Sequence, residues 1–121
     1  MYKESCLKSE LAPRSNSKKM FVETLDVVTS YKDNQQHLKL AVSVTDLAGY
    51  PVFETGVELV IGPPDGTKFS LKGETDPYGI AYFELKNIRR GRWEVAVLNV
   101  DHPDYKCATG ESCKSSSVKH V

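Results

Sequence analysis

The chain contains no run of about 18 apolar residues, so no segment of it reads as a membrane-crossing helix. Its first residues, Met1-Tyr-Lys-Glu-Ser-Cys6, hold none of the apolar stretch that a secretory signal peptide requires. That absence does not place the protein in the cytoplasm, because the chain can be a piece of a longer precursor. Net charge is also missing: 16 Lys and Arg balance 16 Asp and Glu. No global field draws the chain toward nucleic acid or an anionic membrane, so neither a nucleic-acid partner nor membrane insertion is expected. Cysteine is scarce, and Cys6, Cys107 and Cys113 are the full set. With no Cys-x-x-Cys pair and no histidine at ligand spacing, they do not spell a zinc finger, and no cofactor is expected.

What the chain does have is alternation and turns. At 121 residues and 40% hydrophobic content it suits one domain with one core. Two stretches share one device: Thr45-Asp-Leu-Ala-Gly49 and Thr75-Asp-Pro-Tyr-Gly79 each follow an alternating run. In each, Asp can bond the backbone of the turn and Gly can supply the positive φ that closes it. The second reads as the turn of a β-hairpin between a strand ending at Thr75 and one leaving at Ile80.

The rest of the chain falls around these turns. Residues 1–19 are polar and sparse in apolar side chains, and read as a flexible linker. Met20 to Val28 is rich in β-formers, and Ser30 to Gln36 reads as a polar connection. Leu38, Leu40, Val42 and Val44 give the cleanest period of two. Val57, Leu59 and Ile61 mark another strand, Gly62 to Gly66 a loop, and Phe69 and Leu71 a further strand in which Gly73 suggests a bulge. Ala81, Phe83 and Leu85 alternate after the second turn. Trp93, Val95 and Val97 follow the basic turn Ile88-Arg-Arg-Gly-Arg92, and Trp93 reads as core. Residues 107–121 read as a loop and a disordered tail. Short strands with turns about every 10 to 12 residues and no helical period predict an all-β fold: an antiparallel immunoglobulin-like, or transthyretin-like, β-sandwich of about six to seven strands over residues 20–106.

Several segments carry a resemblance. They are Met20-Phe-Val22, Leu25-Asp26, Leu40-Ala-Val-Ser-Val-Thr-Asp-Leu-Ala-Gly-Tyr-Pro-Val52, Gly56-Val-Glu-Leu59, Thr75 to Phe83, Trp93 to Val100 and His102 to Tyr105. Together they resemble the bacterial and archaeal immunoglobulin-like accessory modules of secreted proteases and cell-surface proteins, of the carboxypeptidase regulatory-like and invasin types. The resemblance implies a non-catalytic, extracytoplasmic domain, secreted or on the cell surface, that serves as spacer or protein-interaction unit. Its implied partner is a neighbouring domain of a longer chain. A monomer is expected.

Candidate sites are few. Ser43, His102 and Asp101 supply the residue types of a catalytic triad, but no nucleophile elbow supports one. Asp46, Asp65, Asp76, Asp101 and Asp104 lie in turns, where carboxylates either gather calcium or, more commonly, cap the turn. Tyr50, Tyr78 and Tyr82 offer rings for stacking, and Arg89, Arg90 and Arg92 offer forks for carboxylate or sulfate. If they converge, they form a carbohydrate-binding surface, which is the alternative to the spacer reading. Cys107 and Cys113 can close a short disulfide loop in an oxidising compartment, or can remain free thiols.

Overall fold

A computed structural model describes residues 18–121 and contains only strands, turns and loops. Its strands in chain order are β1 (Lys18–Lys32), β2 (Gln35–Asp46), β3 (Gly56–Gly62), β4 (Phe69–Glu74), β5 (Ile80–Ile88), β6 (Arg92–Asp101), β7 (Tyr105–Cys107) and β8 (Ser115–His120). They form two four-stranded sheets, ordered β5-β2-β1-β7 and β4-β3-β6-β8, packed as a β-sandwich. All neighbours are antiparallel except β1 and β7, which run parallel through Lys18 to Met20.

The core lies between the sheets because alternation puts every second side chain inward. Leu38, Leu40, Val42 and Val44 from β2 meet Val57, Leu59 and Ile61 from β3 and Trp93, Val95 and Val97 from β6, all buried. Each such aliphatic side chain contributes about 1.5–3 kcal/mol by leaving water. Trp93 keeps its indole N–H satisfied by donating to the Arg89 carbonyl at 2.9 Å, so its ring is a core element. In β6 a register shift opposite Glu58 and Leu59 takes up one residue, which leaves Leu98 outside and returns Val100 to the core.

The structure corrects several expectations. The turn at Asp76 to Gly79 is not a hairpin: β4 pairs with β3 in one sheet, while β5 pairs with β2 in the other. Turn chemistry specifies a reversal, whereas the partner is chosen by which sheet buries Ala81, Phe83 and Leu85. Gly73 makes no bulge and stands in register with Val57. A β-carbon there would lie 2.9 Å from Cε2 of Phe83, so the glycine makes room for that ring. The polar stretch from Ser30 to Gln36 is mostly strand, closed by Asp33 and Asn34 alone. Both have positive φ, 54° and 62°, the signature of a type I′ turn. Finally, the stretch 107–121 is not a disordered tail. Ser115–His120 pairs with β6, and Val121 exchanges two backbone hydrogen bonds with Gly91. Ladder bonds to β6 hold this strand, so its serines need no apolar rhythm. The structure thus has eight strands rather than six or seven. Lys18 and Lys19, assigned to the linker, begin β1; the remainder of that segment lies outside the described residues.

Candidate functional site

Two aspartates build one pole of the sandwich. Asp46 Oδ1 accepts from the N–H groups of Ala48 and Tyr50, both at 2.9 Å. Asp76 Oδ1 does the same for Tyr78 at 2.9 Å and Ile80 at 3.1 Å. Each carboxylate is thereby spent on its own turn, the ordinary role of Asp at this position. The turns also abut: Val44 N–H donates to the Gly79 carbonyl at 2.8 Å, and Gly79 packs on Pro51.

Between them, the segment from Pro51 to Thr55 is held by buried hydroxyls. Thr75 Oγ1 donates to the Val52 carbonyl at 2.7 Å and accepts from Thr55 N–H at 2.9 Å. Thr55 Oγ1 donates to the same Val52 carbonyl at 3.3 Å. In the loop after β6, Asp104 N–H donates to His102 Nδ1 at 3.0 Å. That bond leaves the ring proton on Nε2, which donates to the Phe53 carbonyl at 3.0 Å. Tyr105 stands edge-on to His102 with ring centroids 4.9 Å apart, and Lys18 Nζ lies 5.4 Å from the Tyr105 ring centre.

On this fixed base stand four large apolar side chains in water: Leu47 at 67% exposed, Tyr50 at 68%, Phe53 at 49% and Tyr78 at 79%. Exposed large apolar groups on rigid turns are what a contact surface requires, because little ordering cost remains to be met on binding. Tyr50 and Tyr78 are sequence candidates that the structure brings to one pole. Leu47 and Phe53 are additions, each an apolar residue inside or just after a turn where a polar one is usual.

The other candidates lie elsewhere. Tyr82 is on the outer face of β5, opposite Ala41. Arg89, Arg90 and Arg92 follow the far end of β5, nine residues and so roughly 30 Å of strand from the Asp76 turn. The Arg turn and the tyrosine pole therefore do not converge. Arg92 is paired with Glu94. Arg89 lies near enough to Asp65 to help hold its carboxyl below the ordinary value, although the main cause is the Thr67 hydroxyl, which donates to Asp65 Oδ1 at 2.6 Å.

Nor does a triad assemble. Ser43 is bonded to Thr24 Oγ1 at 2.6 Å on the outer face of one sheet, while His102 follows a strand of the other. Among the described residues, no three His, Cys, Asp or Glu side chains gather as a metal site. Cys107 and Cys113 are joined, with Cα atoms 5.8 Å apart. Their loop braces the start of β1, where Ala108 N–H donates to the Met20 carbonyl and Val22 N–H to that of Ser112.

These features define an immunoglobulin-like β-sandwich with one turn-built apolar pole. No family model matches the chain, and no curated protein does. Among solved structures, the crystal structure of the β-glucuronidase of Parabacteroides merdae is similar, with a TM-score of 0.56 and 16% identity. The match covers 84% of this chain and only 13% of that enzyme's, so it shows the fold alone.

Proposed function

We propose that this protein is a non-catalytic immunoglobulin-like accessory module of a larger secreted or cell-surface protein, acting through the Asp46 and Asp76 turns as a protein-interaction and spacing domain. The observation that carries the reading is the pole itself: Leu47, Tyr50, Phe53 and Tyr78 exposed in and beside turns that the Asp46 and Asp76 carboxylates pin. Rigid aromatic anchors of this kind dominate the energetics of protein contacts. The Cys107–Cys113 bridge fits an oxidising compartment and supports the extracytoplasmic placement.

Carbohydrate binding through the tyrosines together with the Arg turn would need one continuous surface. The distance along β5 separates the two groups, so the first reading is preferred. A domain encoded beside this one in the same reading frame is the partner to test by calorimetry. Tyr50→Ser with Tyr78→Ser should weaken binding roughly tenfold or more while Arg90→Ala leaves it unchanged. Saturable binding to a glycan panel, lost on Tyr78→Ala or Arg90→Ala, would favour the alternative.

A further inference from the structure

Among the described residues, one edge of the sandwich is left open in a way the others are not. β7 covers β1 only through Lys18 to Met20, and the disulfide loop reaches two residues further, at Val22. Among the described residues, β1 is paired on the β2 side alone from Thr24 to Lys32. The type I′ turn at Asp33 and Asn34 makes Lys32 and Gln35 a hydrogen-bonded pair, and such pairs then alternate back along the hairpin. Ser30, Val28 and Asp26 therefore spend their backbone groups on β2. Leu25, Val27, Thr29 and Tyr31 direct theirs at the free edge.

This stretch lacks the usual protections of an edge. It holds no proline or glycine and is rich in β-formers; Val28 and Tyr31 are 54% and 61% exposed. The edge strand β5 carries Glu84 and Lys86, β4 carries Lys72, Gly73 and Glu74, and β8 ends in Lys119 and His120. Inside the free part of β1, the charges are Asp26 and Lys32, six positions apart on the same face.

We propose that the protein forms a two-fold dimer in which β1 pairs antiparallel with β1 of a second copy, Thr29 opposite Thr29. The occupant and the register follow from self-complementarity. Pairing about Thr29 sets Asp26 opposite Lys32 of the second copy, and by symmetry Lys32 opposite its Asp26, so both charges are matched at once. The same register joins the edge-directed backbone of Val27 to that of Tyr31 and places the ring beside a β-branched side chain. About six backbone hydrogen bonds result from the three edge-directed pairs. Shifting the two-fold axis to Val28 or Ser30 loses the Asp26 to Lys32 match. The dimer departs from the monomer expected from sequence, and it leaves the Asp46 and Asp76 pole free.

Sedimentation equilibrium of the full chain from about 10 µM to 1 mM tests it, with circular dichroism as the check of folding. The wild type should move from monomer to dimer across that range. Asp26→Lys or Lys32→Asp alone should raise Kd roughly tenfold or more, and the double exchange Asp26→Lys with Lys32→Asp should restore it. Thr29→Pro should abolish the dimer, because it removes an edge-directed N–H that β2 does not use. If that variant fails to fold, the charge cycle decides. A chain that stays monomeric at 1 mM, a dimer indifferent to the single reversals, or one not restored by the double exchange overturns the proposal.

Discussion

Gly79 is packed so tightly against Pro51 that a β-carbon on it would stand 2.8 Å from the proline Cβ and 2.7 Å from the Val44 carbonyl oxygen. This contact locks the two aspartate turns together, and with them the pole that carries Leu47, Tyr50, Phe53 and Tyr78. Gly49, in the first turn, also has positive φ but has nothing within 4 Å of its would-be side chain. Gly49→Ala should therefore cost only the left-handed backbone strain, about 1 kcal/mol. Gly79→Ala adds a backbone clash and should cost about 3 kcal/mol or more. Urea unfolding of the two variants measures the difference, which reports how closely the two turns are packed.

The buried hydroxyl of Thr75 is the second clamp on the pole. Thr75→Val keeps the shape of the side chain but strands the Thr55 N–H without an acceptor and removes one donor to the Val52 carbonyl. A loss of about 2–3 kcal/mol is expected in chemical denaturation. Faster amide exchange at residues 53 to 55 should accompany it, with the centre of β2 unchanged.

Asp65 offers a local test of electrostatics. Its carboxyl is held below the ordinary 3.8 by the Thr67 hydroxyl, then by the Thr67 N–H, with a smaller contribution from Arg89. A depressed folded-state value means the stabilisation is present above the unfolded pKa and is lost as pH falls through the folded one. Carbon-detected NMR titration should give Asp65 a midpoint below 3.8, and Thr67→Val should move that midpoint upward.

The disulfide closes a loop of separation 6 and braces the start of β1. Cys107→Ala with Cys113→Ala should lower stability by about 2–3 kcal/mol on the loop-entropy model. Hydrogen exchange should rise at Met20, Val22 and Ala108, while the Trp93 side of the core keeps its protection.

Much of this architecture is legible in the residues. Leu38 to Val44 and Val57 to Ile61 alternate because each strand has one face on the core, and the structure buries those residues. Trp93 is readable as core for the same reason. What local pattern does not carry is partner choice. The Asp76 turn has the same chemistry whether its flanking strands pair with each other or part to different sheets, so its role as a corner is hidden. The strand Ser115–His120 is hidden too, because its place depends on ladder bonds to β6 and not on an apolar rhythm. At the pole, Tyr50 and Tyr78 stand out by composition. Leu47 and Phe53 join them only once Gly79 is seen against Pro51.

The most direct test of the central claim is an NMR titration of the labelled chain with the neighbouring domain that the proposed function implies. An interaction module that works through its aspartate-turn pole should show shift changes at Leu47, Tyr50, Phe53 and Tyr78, with Arg89 to Arg92 left unmoved. Changes centred on the Arg turn, or none at saturating partner, would contradict the account.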